Sequence, residues 1–250
     1  MLDTSANNKR IAKNTLMLYF RMVLLLVISL YTSRVILREL GVDDYGVYNV
    51  VGGIIVILSF LNQAMASGTQ RFLNVEMGKN DQKAVNKVFA TSQQIHFGVS
   101  FCMFIIAETV GLWFLNNYMN IPEGRLGAAN WVYQFSIISA IFGVFTVPYN
   151  ATIISHEKMS AFAFISIVEA VLKLLVAFAI IWAPYDKLII YAALIMLVSM
   201  INCVVYVNYG IKNFEECRHF TLKRNKLMMK QMLSFSGWTV FGNLGYILHT

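Results

Sequence analysis

Apolar runs about twenty residues long, each closed by a short charged segment, recur from one end of this chain to the other. A helix needs roughly 20 mostly apolar residues to cross the hydrocarbon of a bilayer. In that setting the backbone must satisfy its own hydrogen bonds, which a helix does. Six complete runs are legible: Thr15–Leu37, Gly46–Gly68, Val88–Leu115, Ala129–Ile154, Ala161–Ala183 and Leu188–Tyr209. A seventh begins near Met232 and reaches Thr250 with no loop, charged stop or cap. The expected fold class is an all-α, polytopic integral membrane protein with six complete transmembrane helices and the start of a seventh. The abrupt end reads as a cut inside helix seven, and a stop codon directly after Thr250 would overturn that reading.

Composition agrees. Hydrophobic residues make up 58% of the 250 and charged residues 13%, against about 45–50% and about 25% in soluble domains. Mean hydropathy is +0.60. These values exclude an ordinary soluble domain, a disordered tail and a disulfide-stapled secreted domain. A net charge of +7 would suggest a nucleic-acid partner in a soluble protein. Here the basic residues sit in loops between apolar runs, which points to a membrane explanation and to no nucleic acid.

The loops set the orientation. Lys9, Arg10 and Lys13, then Arg71, Lys79, Lys83 and Lys87, then Lys158, then Lys212, Arg218, Lys223, Arg224, Lys226 and Lys230 all fall on one side. Only Arg38, Arg125 and Lys187 fall on the other. The positive-inside rule then places the N-terminus in the cytoplasm. The expected divisions are a tail over 1–14, a helical unit over 15–209, a basic amphipathic linker over 210–230 and the start of a further helix over 231–250. The linker is expected either to lie on the inner-leaflet surface, drawn to anionic lipid, or to serve only as the topology signal. The first apolar run carries Arg21 and Arg34 and lacks a small-x-small cleavage site, so it reads as a retained helix rather than a signal peptide.

Chemistry motifs are sparse. The chain has no GxxxxGK[ST] phosphate loop. Its cysteines and histidines lack metal-ligand spacing, so neither a metal nor a cofactor is expected. Loops are too short to house an active site. Asp43 and Asp44 invite a glycosyltransferase reading, but carboxylates at a helix start are also stabilised by the positive end of the helix dipole. The chain is not expected to be an enzyme.

Charges within spans are costly and are functional candidates for that reason. Arg34 is near a span end and can snorkel. Arg21 lies roughly 9 Å deep, where snorkelling and lining a cavity both fit. Lys173 lies roughly 16 Å from either end of its span, beyond the reach of its side chain. Glu169, four residues earlier, shares its helical face. The pair reads either as a structural ion pair or as the lining of a polar cavity. Glu108 reads as a protonated or water-accessible carboxylate or as a coupling-ion site. Ser59, Gln63, Ser67 and Gln70, with Asn62 adjacent, form one helical stripe. Ser136, Ser139, Gly143, Thr146 and Asn150 form another. The small and hydroxyl members suit helix packing. Asn62, Gln63, Gln70 and Asn150 need more partners than packing supplies and are candidate cavity residues. Pro148 can kink its helix.

Four segments carry a resemblance to a known family. NTLMLYFRMVLLLVISLYTSRVILRELGVDDYGVYNVVGG (14–53), SFLNQAMASGTQRFLNVEMGKND (59–81), VPYNATIISHEKM (147–159) and FSGWTVFGNLGY (235–246) resemble the polysaccharide exporters, the Wzx-type O-antigen and capsule flippases. These belong to the multidrug/oligosaccharidyl-lipid/polysaccharide exporter superfamily. The resemblance implies two pseudo-symmetric lobes with twelve to fourteen helices in all, around a central cavity. It implies passage of an undecaprenyl-diphosphate-linked oligosaccharide from the inner to the outer leaflet of the bacterial inner membrane, by alternating access. Under it, residues 15–209 form the first lobe, Arg21 matches a first-helix cavity arginine, and Arg71 sits at the cytoplasmic mouth. Lys173 and Glu169 are added from burial alone. Membrane lipids are implied partners, and a polysaccharide polymerase and chain-length regulator are candidate ones.

Other readings remain open on the residues. A drug/cation antiporter of the same superfamily would want carboxylates in its cavity, whereas the spans hold Arg21, Arg34 and Lys173 against Glu108 and Glu169. A peptidoglycan-precursor flippase would share the anionic substrate chemistry. An assembly partner within a glycan-export complex would need no cavity at all.

Overall fold

The computed structural model describes residues 4–122, 124–218 and 225–249, and among these every regular element is helical. One hydrogen-bonded run, Thr4–Gly78, is broken at Gly41, where φ is 77° and ψ 174°. Glycine adopts a left-handed φ without steric cost, so the chain turns there with no loop. The break makes two helices, α1 (4–40) and α2 (42–78). Then come α3 (Gln82–Asn117, with a π-helical turn at Ala107–Gly111), α4 (Leu126–Ser155), α5 (Met159–Ala179, closed by a 3-10 turn at Ile180–Trp182), α6 (Lys187–Asn213) and α7 (Lys226–His249).

Five helical stretches among the described residues are long and apolar enough to cross a membrane: Ile11–Gly53, Gln82–Asn117, Leu126–Ser155, Met159–Trp182 and Lys187–Asn213. The first straddles the break at Gly41. The chain is therefore an all-α, multi-pass membrane protein. Its helices outrun the apolar runs: α1 starts at Thr4 rather than residue 15, and α2 continues past Gly68 to Gly78. Hydropathy marks where lipid ends, whereas a helix ends where its caps are. Asp81 caps α3 by accepting from the Ala84 amide at 3.0 Å, and Asp186 caps α6 by accepting from Leu188 and Ile189.

α4 holds the middle of the bundle, with buried residues from Ala128 to Ile153. It contributes to two apolar clusters. One joins Leu73, Phe89, Tyr149, Ile153, Tyr206 and Phe214 at the end that carries Glu216. The other joins Val51, Leu115, Tyr133, Ile137 and Leu188 at the opposite rim, which carries Arg125. A third cluster packs α1 against α5 and α6 through Ile36, Ala177, Ile180 and Tyr191. Pro148 is buried within α4, which runs unbroken through it. Outward, α1 shows Leu16, Tyr19, Phe20, Val23, Leu26, Val27 and Leu30. A face so apolar belongs against lipid or protein.

The linker is described over 210–218 and 225–230. Directly after α6, Phe214, Glu216 and Cys217 are buried in the lobe. The apolar ring and the satisfied carboxylate find better company among the helix ends than on a membrane surface. The basic residues Lys223 and Arg224 lie outside the described residues.

Candidate functional site

α1, α5 and α6 enclose a cavity of about 360 Å³. Arg21, Ser29, Thr32 and Ser33 reach it from α1, Ser166, Glu169 and Lys173 from α5, and Tyr191 from α6. Helical spacing explains the grouping. Positions 21, 25, 28, 29 and 32 share one face of α1, and 166, 169, 170 and 173 share one face of α5. Two cations and one carboxylate thus share a hydroxyl-lined space.

The carboxylate is fully engaged. Lys173 Nζ donates to Glu169 Oε1 at 2.6 Å, and Asn202 Nδ2 of α6 donates to Glu169 Oε2 at 3.0 Å. Arg21 stacks over the Phe162 ring at 4.2 Å, a cation–π contact. Its Nε and the Thr32 hydroxyl are buried and have no hydrogen-bond partner among the described residues. Glu169 neutralises one cation, so the cavity keeps one positive charge and several unused donors. That arrangement suits an oxyanion carrying hydroxyl groups. Lys173 has 43% of its side chain exposed and Glu169 30%, so the pair lines an opening rather than a dry core.

The other sequence candidates do not line this cavity. Arg71 of α2 stacks over Phe235 of α7 at 4.4 Å. Gln63 is exposed, while Asn62, Gln70 and Asn150 are half-buried, with Asn150 Oδ1 lacking a partner. The Ser59 side chain lies outside the described residues. Glu108 sits in the π-helical turn of α3, a frequent mark of a functional position. It accepts from Gln134 Nε2 at 3.2 Å, and its Oε1 is buried without a partner. Arg34 is exposed, as snorkelling requires.

Two charged clusters lie outside the cavity, and only the fold brings them together. At one rim Arg125, the N-cap of α4, forks between Asp44 of α2 and Asp186 of α6. Its Nε meets Asp44 at 2.7 Å and its Nη1 meets Asp186 at 2.6 Å. Burial works against these charges, but mutual pairing outweighs it: the Arg125 guanidinium is held above its ordinary value and the Asp186 carboxyl below. Next to them Lys187 donates to Glu39 at 3.0 Å. At the opposite end the buried Glu216 binds His156 Nε2 at 2.6 Å and Gln82 Nε2 at 3.3 Å, while His156 stacks on Phe214. Burial pushes the Glu216 carboxyl up, and His156 with its other donors brings it below the usual range. The partners are 60 to 134 positions apart, so no local motif announces them.

No protein-family model matches this chain, and no curated protein matches it. Among solved structures, a crystal structure of a mutant MATE protein is similar in fold, with a TM-score of 0.74 and 12% sequence identity. The likeness covers 93% of this chain and 53% of that one, so the chain spans about half the length of the structure it matches. At that identity the comparison establishes a shared fold alone: a helical arrangement like about half of that MATE structure.

Proposed function

We propose that this chain is the N-terminal lobe of a lipid-linked oligosaccharide flippase, which moves undecaprenyl-diphosphate-linked repeat units from the inner to the outer leaflet. The observation that carries the reading is the cavity in which Arg21 and Lys173 outnumber Glu169. A diphosphate and several sugars cannot cross about 30 Å of hydrocarbon unaided. A wet cavity rich in hydroxyls replaces sugar hydration, and a single net positive charge holds the diphosphate loosely enough to release it. The polyprenyl tail stays in the bilayer. Two lobes rocking about the cavity would alternate its access, with the N-terminus in the cytoplasm of a bacterial inner membrane.

The deciding measurement is the pool of undecaprenyl-linked oligosaccharide in cells depleted of the full-length protein. Complete repeat units should accumulate on the inner leaflet while surface glycan is lost. An unchanged pool would instead support a cation antiporter. Glu169, and Glu108 with its unpartnered oxygen, are the observations on which that second reading rests.

A further inference from the structure

A second cavity, of about 290 Å³, lies between α3, α4 and α6 and shares no lining residue with the first. Its wall is aromatic, formed by Phe97, Phe142, Phe145 and Tyr149, with Pro148 beside them. Phe97 is mostly exposed, so the mouth opens at the lobe surface. Gln93 and His96, one helical turn apart on α3, interrupt this apolar lining.

His96 is buried, with 1% of its surface exposed. Its Nδ1 lies 2.7 Å from the Ser92 carbonyl oxygen. A carbonyl only accepts, so Nδ1 carries the proton. Among the described residues no carboxylate is hydrogen-bonded to the ring, and a buried charge without a counter-ion is too costly, so the imidazole is neutral. Nε2, on the edge of the ring away from the α3 backbone, therefore holds a lone pair. No donor meets it among the described residues. Gln93 repeats the pattern: its Nε2 donates to the Tyr149 hydroxyl at 2.8 Å, and its Oε1 is buried without a donor. Native proteins rarely leave two buried acceptors unmatched in one place.

We propose that this cavity binds a membrane-dissolved apolar molecule bearing one hydrogen-bond donor, a hydroxyl or a protonated amine. The aromatic walls take the apolar body, and their ring faces attract the positive end of the donor. A hydroxyl gives its one proton to His96 Nε2 or to Gln93 Oε1, and a protonated amine has protons for both. Among the described residues no cationic side chain lines the wall, so an anion finds no counter-charge there, unlike in the cavity of Arg21 and Lys173. His96 lies nine residues past Lys87, the last charged residue before the apolar part of α3, or roughly 13 Å along the helix. That depth favours a dissolved solute over a lipid headgroup.

The test compares two probes of one shape, 2-naphthol and 2-methylnaphthalene, on the full-length protein in phosphatidylcholine nanodiscs. Binding is read by saturation-transfer NMR. The naphthol should bind about tenfold more tightly than its methyl analogue, as one well-made hydrogen bond allows. The His96→Phe variant, with an unchanged melting temperature, should lose that preference. The wild-type comparison stands even if the variant does not fold. Equal affinity for the two probes, or no binding of either, overturns the proposal and leaves water as the partner of both acceptors. Repeating the titration in phosphatidylethanolamine nanodiscs separates the sources. Competition there assigns the donor to a lipid ammonium group, and its absence assigns it to a free solute.

Discussion

The Tyr133 hydroxyl of α4 occupies the space that a side chain at Gly111 of α3 would fill. From there it donates to the Ala107 carbonyl at 2.8 Å, spanning the π-helical turn that carries Glu108. Tyr133 is fully buried. Gly111→Ala should therefore overpack the contact and lower stability by about 1–3 kcal/mol. Adding Tyr133→Phe, which removes the obstructing oxygen, should recover part of the loss. Melting temperatures of the single and double variants in detergent check this, and identical values would place the strain elsewhere.

Arg21 and Arg34 lie on one helix, yet only Arg21 reaches the cavity. Arg21→Ala should abolish or strongly reduce glycan display in a complementation assay, while Arg34→Ala should leave it near wild type. Equal, mild effects would remove the distinction.

Lys173 tests whether the Glu169 pair serves function or architecture. The two side chains line the cavity and pair at 2.6 Å. Lys173→Ala should lose display, and Lys173→Arg should retain more of it, with melting temperature in detergent separating a lost fold from a lost function. Wild-type display by Lys173→Ala would rule out an essential role for the charge.

Glu216 supplies a pH test. Its carboxyl is held below the ordinary 4.5 in the folded chain, so the unfolded chain binds that proton more readily. Its stabilisation is complete above about pH 4.5 and is lost as pH falls through the folded value. Glu216→Gln should cost about 2 kcal/mol at neutral pH and give a shallower acid limb. Melting temperature against pH reads both effects, and an unchanged acid limb would disprove the assignment.

Arg125→Lys keeps the charge but cannot fork between two carboxylates. It should cost about 1–2 kcal/mol, and Arg125→Ala about 2–3, given the partial exposure of all three side chains. Thermal unfolding of the two variants beside wild type measures the difference.

How much of this was legible beforehand depended on range. Helix number and order follow from apolar runs, which are local. The pairing of Lys173 with Glu169 follows from four-residue spacing, also local. That Arg21 would meet them required knowing that α1 packs on α5, which no run of residues states. Asp44 read as a helix-start acid, and only the fold supplied Arg125, 81 positions away. His156 read as one of four scattered histidines until the linker folded Glu216 back against it. The break at Gly41 was hidden for a different reason: the loop between the first two runs is short and polar, and a single left-handed residue replaces it.

The ion pairs around Arg125 bear on how such a lobe can move. They tie together the first turns of α2, α4 and α6, and Lys187 with Glu39 adds the end of α1. Sliding any one of these helices along its neighbours would separate charges that lie in contact. Tilting the whole lobe as one body leaves every pair intact. Under the proposed alternation of access, the rim would act as a hoop around barrel staves, opposing the slip of single helices and favouring rotation of the lobe as one body.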